Sequence, residues 1–393
     1  MAVNKQLAAL LNEVNAQATG ARPIAIVTET DFVSVATSIL NSLGTEDTLK
    51  AISNVVAKRI YSTRAYSAKL KGLQVTAEKW GEIVQKLTAL DGEAMDDEKF
   101  ELTDGQVYSD QFPTLPKVIQ TNFRGFVAYK RRLTYLRDQL DSAMGSSAEF
   151  GSFVGMMAQN ISDLLEQDRE SKSRLCLNNF IATAITNDTA VPNGQVIHLL
   201  TEYNTATGKN LTKEQALSPE NILGFGQWVY ARLRTATQLM TERSEMFHQN
   251  IAGKSIKRHT PLDMQNVFIL NEYDNLFDTM VNANTYNDSF LAKGDVERVG
   301  YWQSIKTPDA IKVKPASVDA NGALIEATDA VTVEQSDIVI AVLDKEAAGI
   351  SFVDGHANVT PMNADYDFAT TVWHEKARIW NDSTENGFIG ILD

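Results

Sequence analysis

Residues 156–185 read MMAQNISDLLEQDRESKSRLCLNNFIATAI, a run with no proline or glycine to interrupt a helix. Entering it, Phe150, Phe153, Val154, Met157, Ile161, Leu164 and Leu165 recur at i, i+3, i+4 and i+7, the apolar stripe of an amphipathic helix. Glu166-Gln167-Asp168-Arg169-Glu170-Ser171-Lys172-Ser173-Arg174 then presents polar residues on every side before Leu175, Leu177, Phe180 and Ile181 resume. About thirty helical residues span about 45 Å. A helix of that length with a solvated middle is a strut, and the rest of the chain is read around it.

Upstream, Leu7, Leu10, Leu11 and Val14 form a short helical stripe ending near Gly20. Phe32, Val35, Ala36, Ile39 and Leu43 form a second, with Thr30 or Asp31 as its N-cap and Gly44 as its stop. A third, capped by Thr45 or Asp47, carries Leu49, Ile52, Val55, Val56 and Ile60. Together they read as an arm without a core of its own. From Tyr61 to about Gly125 the texture changes. Lys69-Leu70-Lys71-Gly72-Leu73-Gln74-Val75 and Trp80-Gly81-Glu82-Ile83-Val84-Gln85-Lys86-Leu87 have the near-alternating pattern of half-exposed strands, and Asp91-Gly92 and Thr103-Asp104-Gly105 are turn signals. The expectation is a long hairpin, which alone in water is marginal and gains order by lying on another subunit.

Downstream, residues 190–335 read as a mixed α/β lobe. Ser218-Pro219-Glu220 opens a helix through Ile222, Phe225, Val229, Leu233 and Leu239. Val267-Phe268-Ile269-Leu270 is a buried strand leading to Asn271, a candidate helix cap, and Asp319-Ala320-Asn321-Gly322 is a turn. Asp337 to Leu343, Phe352-Val353, Thr371 to His374 and Phe388 to Leu392 close the chain in β structure, the last either within the molecule or shared with a neighbour.

The bulk numbers narrow the class. Apolar residues make up 44% and charged residues 22%, the balance of a chain that buries a core. A formal charge of −14 disfavours gripping nucleic acid phosphates. Cys176 is the only cysteine, so an intramolecular disulfide and a cysteine-based metal cluster are excluded by count, and a reducing cytoplasm is the default folding environment. Neither a signal peptide nor a membrane span is legible.

Chemical motifs fail on inspection. Trp373-His374-Glu375-Lys376-Ala377-Arg378 lacks the second histidine of a zincin helix. Asp96-Asp97-Glu98 and the pair Asp365 and Asp367 read as solvated carboxylates, without the spacing of a cation loop. Gly253-Lys254-Ser255 lacks the glycine of a phosphate cradle, whose place is taken by His248, and Gly224-Phe225-Gly226 falls inside a helix. Cys176, between Leu175 and Leu177, reads as a small buried hydrophobe. Lys254-Ser255-Ile256-Lys257-Arg258-His259 is the densest basic run; contact with DNA or an acidic neighbour is one reading, and a solvated loop the more ordinary one. No catalytic, cofactor-binding or metal-binding residue is therefore assigned, and the chain reads as no enzyme.

Other stretches carry a resemblance. They are Arg64-Ala65-Tyr66-Ser67-Ala68-Lys69-Leu70-Lys71-Gly72-Leu73, Trp80-Gly81, Leu102-Thr103-Asp104-Gly105-Gln106 and Gln120-Thr121-Asn122-Phe123. Leu133-Thr134-Tyr135-Leu136-Arg137-Asp138-Gln139-Leu140-Asp141, Gly151-Ser152-Phe153-Val154 and Gln159-Asn160-Ile161-Ser162-Asp163 continue them. In wording and order the chain resembles tailed-bacteriophage major capsid proteins of podovirus-like and gut phages, most strongly over residues 60–185. The resemblance implies an α+β, HK97-like capsid fold. Its parts would be an N-terminal arm (1–60), an extended β-hairpin or E-loop (61–125), a peripheral domain with spine helix and β-sheet (126–189 and 336–393) and a central axial domain (190–335).

It further implies pentamers and hexamers closing into an icosahedral shell around double-stranded DNA, found in the virion after assembly in the host cytoplasm. Partners would be copies of itself and the portal protein, with scaffolding, head-fibre or decoration proteins as further candidates; the enclosed DNA would be touched only weakly, and no membrane. Some members cross-link neighbours through lysine and asparagine; Lys69, Lys71 and Lys79 lie in the hairpin, where solubility alone also calls for lysine. The alternatives are an encapsulin-like compartment, a minor head or tail protein, and an enzyme with dispersed catalytic residues.

Overall fold

In a computed structural model of the chain, the residues described are 9, 11–13, 15–16, 26, 28, 30–39, 70–75, 83–89, 117–124, 126–136, 144–251, 256–273, 276, 296–319, 321–325, 328–359 and 368–393. The turns at Asp91 and Thr103, the acidic groups at Asp96 and Asp365, Lys69 and Lys79, Gly253-Lys254-Ser255 and the helix expected over Leu49–Ile60 lie outside them.

The strands are β1 (Gln74–Val75), β2 (Ile83–Ala89), β3 (Val118–Arg124), β4 (Val127–Leu136), β5 (Val196–His198), β6 (Gln265–Leu270) and β7 (Val296–Val299). They continue as β8 (Ile311–Val313), β9 (Val333–Gln335), β10 (Ile338–Asp344), β11 (Ala348–Val359), β12 (Phe368–Asn381) and β13 (Gly387–Ile391). After the helical residues near the start of the chain come α1 (Ser147–Ala190), α2 (Leu199–Thr207), α3 (Lys213–Ala216) and α4 (Ile222–Leu239). Two compact units result. One comprises Met1–Lys69, Val127–Lys172 and Phe352–Arg378; the other comprises Leu70–Phe126, Ser173–Ser351 and Ile379–Asp393.

In the first unit, residues 30–39 are helical and bury Phe32, Val35, Ala36 and Ile39, with Phe32 against Phe150 at a ring separation of 5.6 Å. The cap is Thr28 rather than Thr30 or Asp31. Thr28 Oγ1 accepts from the Asp31 N–H (3.2 Å), and the Asp31 carboxylate accepts from the Thr28 N–H (2.9 Å), a reciprocal box that satisfies two orphan donors. Antiparallel pairing runs from Phe368↔Leu136 to Ala377↔Val127 between β12 and β4. The segment Trp373–Arg378 thus lies on a strand, where His374 and Glu375 point to opposite faces, not on a zincin-type helix.

In the second unit a five-stranded sheet runs β5-β13-β10-β6-β7. The runs Val267-Phe268-Ile269-Leu270 and Ile338 to Leu343 are wholly buried because they fill its interior. The C-terminal strand is intramolecular: β13 sits between β10 and β5, from Leu343↔Gly387 to Ile391↔His198. Two of its residues are glycine for want of space. A Cβ at Gly390 would come 2.8 Å from Ile340, and one at Gly387 would meet the Phe180 ring and, at 2.9 Å, the Val342 carbonyl oxygen. Helix α4 starts after the Ser218-Pro219-Glu220 turn, because the Ser218 hydroxyl donates to the Gln215 carbonyl instead of capping. Gly322 holds φ +84° and its N–H donates to the Asp319 carbonyl, while the Asp319 carboxylate accepts from the N–H groups of Asn321 and Ala323, as the turn signal there requires.

Candidate functional site

β2 and β3 form an antiparallel ribbon in register from Ile83↔Arg124 to Ala89↔Val118. Alternation along a strand sends successive side chains to opposite faces. Lys86 and Thr88, paired with Thr121 and Ile119, are half-buried; Gln85, Leu87, Val118, Gln120 and Asn122 are exposed. Leu87 is 68% and Val118 53% exposed, and both belong to the outer face. The ribbon therefore has a docked face and a free face bearing apolar side chains.

The docked face is held by charge. Lys86 Nζ lies 2.5 Å from Glu385 Oε1, 3.0 Å from Glu346 Oε2 and 3.3 Å from Asp382 Oδ2. Arg258 Nη2 reaches the same Glu385 oxygen at 3.0 Å and donates to Thr88 Oγ1 at 3.2 Å, while its Nε donates to the Thr384 carbonyl at 3.1 Å. Burial opposes the charge on Lys86, but Asp382 and Glu385 outweigh it and hold the ammonium above its ordinary pKa. Burial pushes the Glu385 carboxyl up, against the pull of Lys86 and Arg258. Asp382 Oδ1 is occupied by the N–H and hydroxyl of Thr384, which fixes the turn that presents Glu385.

Of the two readings of the basic run at 254–259, solvated loop or contact with an acidic neighbour, Arg258 follows the second, with Glu385 as its partner. Ile256 and Thr260 are buried on either side of exposed Lys257 and His259, so the segment alternates and Arg258 turns inward. His248 is likewise buried, between Ile256 and Asn386, and burial lowers its pKa. Phe247 before it holds φ +69°, kept there by Phe247 N–H to Asn193 O (2.8 Å) and Gly387 N–H to Phe247 O (2.9 Å). Cys176 is fully buried, its thiol directed at the Gly349 carbonyl and its pKa pushed up to about 12 by burial. Among the described residues no group of histidine, cysteine, aspartate and glutamate is placed to hold a metal ion, and no helix is long and apolar enough to cross a membrane.

No family model and no curated protein sequence matches the chain. Solved structures do. The capsid structure of Staphylococcus phage Andhra matches with a TM-score of 0.53 at 9% identity, over 84% of this chain and 85% of that one. The chain has a phage capsid fold. This capsid fold is α+β, and is matched too by the structure of head fiber and inner core protein gp22 of native bacteriophage P68. That match has a TM-score of 0.50 at 10% identity, over 84% of this chain and 87% of that one. In the capsid fold of this chain, the β2–β3 ribbon and the turn before the C-terminal strand β13 meet at one charged junction, through Lys86 and Glu385.

Proposed function

We propose that this chain is the major capsid protein of a tailed phage, a structural subunit and not an enzyme. It assembles as pentamers and hexamers into the icosahedral shell of the virion around double-stranded DNA, in the host cytoplasm. The observation that carries this reading is the fold shared with the Andhra capsid over most of both chains. Residues 1–60 serve as arm, 61–125 as extended hairpin, 126–189 and 336–393 as peripheral domain and 190–335 as central domain. The free face of the ribbon, with Leu87 and Val118, packs on the neighbouring subunit, adding apolar contact to a strand pair that is marginal alone. The formal charge of −14 keeps packaged DNA from adhering to the wall. Partners are copies of the chain and the portal protein, with scaffolding, head-fibre or decoration proteins joining the same shell.

Particles recovered from cells expressing the chain with the head genes of its phage test the reading through their contents. Nuclease-protected double-stranded DNA is the expected result. Particles filled with a protein cargo and no DNA would make it a compartment shell of encapsulin type, and absence of particles would remove the shell role.

A further inference from the structure

Alternation along the paired strands β4 and β12 sends their side chains to two opposite faces. One face meets the part of α1 that belongs to the first unit, and its charges are paired there. Arg131 donates to both oxygens of Asp168, each at 2.5 Å. Buried Glu375 accepts from Arg169 Nη2 at 3.2 Å and from the Tyr129 hydroxyl at 2.5 Å. The other face carries Lys130 and Arg132 from β4 and Lys376 from β12, all exposed. Among the described residues of the two strands this face bears no carboxylate, and its three cations have no ionic partner.

The cations form a line. Lys376 stands opposite Ala128, so Lys130 is its diagonal neighbour, about 7–8 Å away. Arg132 follows two residues further along β4, another step of about 7 Å. Two ordinary uses of surface cations do not account for the row. Lysine protects edge strands, and β4 is an edge, but Lys376 lies on β12, which β11 and β4 cover on both sides. Solubility is served as well by carboxylates, in which a chain of charge −14 is already rich. A protein partner calls for an apolar centre from which lysine is depleted. Among the described residues of the pair, the one large apolar side chain exposed on this face is Leu136, at its end. A phosphate backbone calls for what is present: like cations repeated along a line, without apolar contact.

We propose that the row of Lys376, Lys130 and Arg132 is a contact face for the phosphate backbone of double-stranded DNA, weak and independent of sequence. The inference rests on the reading of the chain as a shell subunit and names the face that meets the packaged polymer. Three cations neutralise three phosphates, while the acidic remainder of the chain limits the attraction. DNA is thereby touched without being held.

The test is fluorescence anisotropy of a short labelled DNA duplex of arbitrary sequence, titrated with the whole chain from about 50 to 200 mM salt. Log affinity against log salt is expected to fall with a slope of about −2.7, a weakening of roughly fortyfold over that range. Lys130→Gln, Arg132→Gln and Lys376→Gln each make the slope shallower by about 0.9, and the triple variant loses binding. Lys312→Gln, at an exposed lysine paired with Glu334, leaves the slope unchanged. Circular dichroism verifies that each variant is folded, and the single variants carry the test should the triple one not fold. No binding by the wild type at about 50 mM salt, or undiminished slopes in the folded row variants, would overturn the proposal. Particle formation is followed separately. Wild-type particles without duplex binding would sink this face and leave the shell reading standing; duplex binding without particles would do the reverse. Triple-variant particles formed as in the wild type are expected. Their loss from a folded triple variant would assign the row to a second copy of the chain and overturn the proposal.

Discussion

Lys86 and Arg258 converge on one atom: Glu385 Oε1 lies 2.5 Å from the lysine ammonium and 3.0 Å from the arginine. A strand of the extended ribbon and the loop before β6 are thereby tied to the turn before the C-terminal strand. Removing a partner from such a cluster leaves buried charge less fully compensated, a larger loss than the pair's own net contribution.

Lys86→Met is expected to lower stability by about 1–3 kcal/mol, less than a fully buried break because the lysine side chain is 22% exposed. Glu385→Gln is expected to cost less, about 1 kcal/mol or below, since the amide oxygen still accepts from both cations. The signs follow from the shifts. Glu385, raised above 4.5, favours folding below that value and loses this as pH rises, so its charge at pH 7 is a burden. Lys86, raised above 10.5, contributes fully below 10.5 and loses its contribution above. Urea unfolding at pH 7 ranks the two variants; Glu385→Gln proving the worse would contradict the assignment.

Gly387→Ala tests the crowding at β13. The added methyl would meet the Phe180 ring and the Val342 carbonyl oxygen. A central strand cannot move away without breaking its ladders to β10 and β5, so a loss of about 1–3 kcal/mol is expected. Thermal unfolding measures it, with Gly155→Ala on α1, where a Cβ meets nothing within 4 Å, as the neutral or stabilising control.

Cys176 is expected to resist thiol reagents in the folded protein and to react at the rate of unfolding. Burial raises its pKa from 9 to about 12, so the thiol favours folding fully below pH 9 and loses that contribution between pH 9 and 12. Cys176→Ala should flatten stability across that window. Rapid labelling at pH 8 without unfolding would contradict the burial.

Much of this was legible in the sequence, for a physical reason: Val267–Leu270 and Ile338–Leu343 are continuous β-branched and apolar runs, the pattern of strands covered on both faces. The strut was legible in kind but not in extent. The glycines at 151 and 155 argue against helix, yet α1 runs 44 residues from Ser147. Burial of Phe150, Phe153 and Met157 outweighs a glycine cost of about 1 kcal/mol each. The clasp was not legible. Lys86, Arg258, Glu346, Asp382 and Glu385 come from separate segments, and no local spacing announces an ion cluster assembled by tertiary structure.

Leu87→Glu separates folding from assembly. Leu87 is on the free face of the ribbon and 68% exposed, so stability should change by no more than about 0.5 kcal/mol. Particle yield should drop sharply, because a carboxylate would be buried against the neighbouring subunit. Normal particles from a folded Leu87→Glu protein would remove this face from the interface.

The most direct measurement of the central claim is negative-stain electron microscopy of the purified protein, concentrated at moderate salt, alone and with scaffolding and portal proteins supplied. Capsomers, tubes or closed shells are predicted. A protein that remains a monomer in every mixture would contradict a shell subunit.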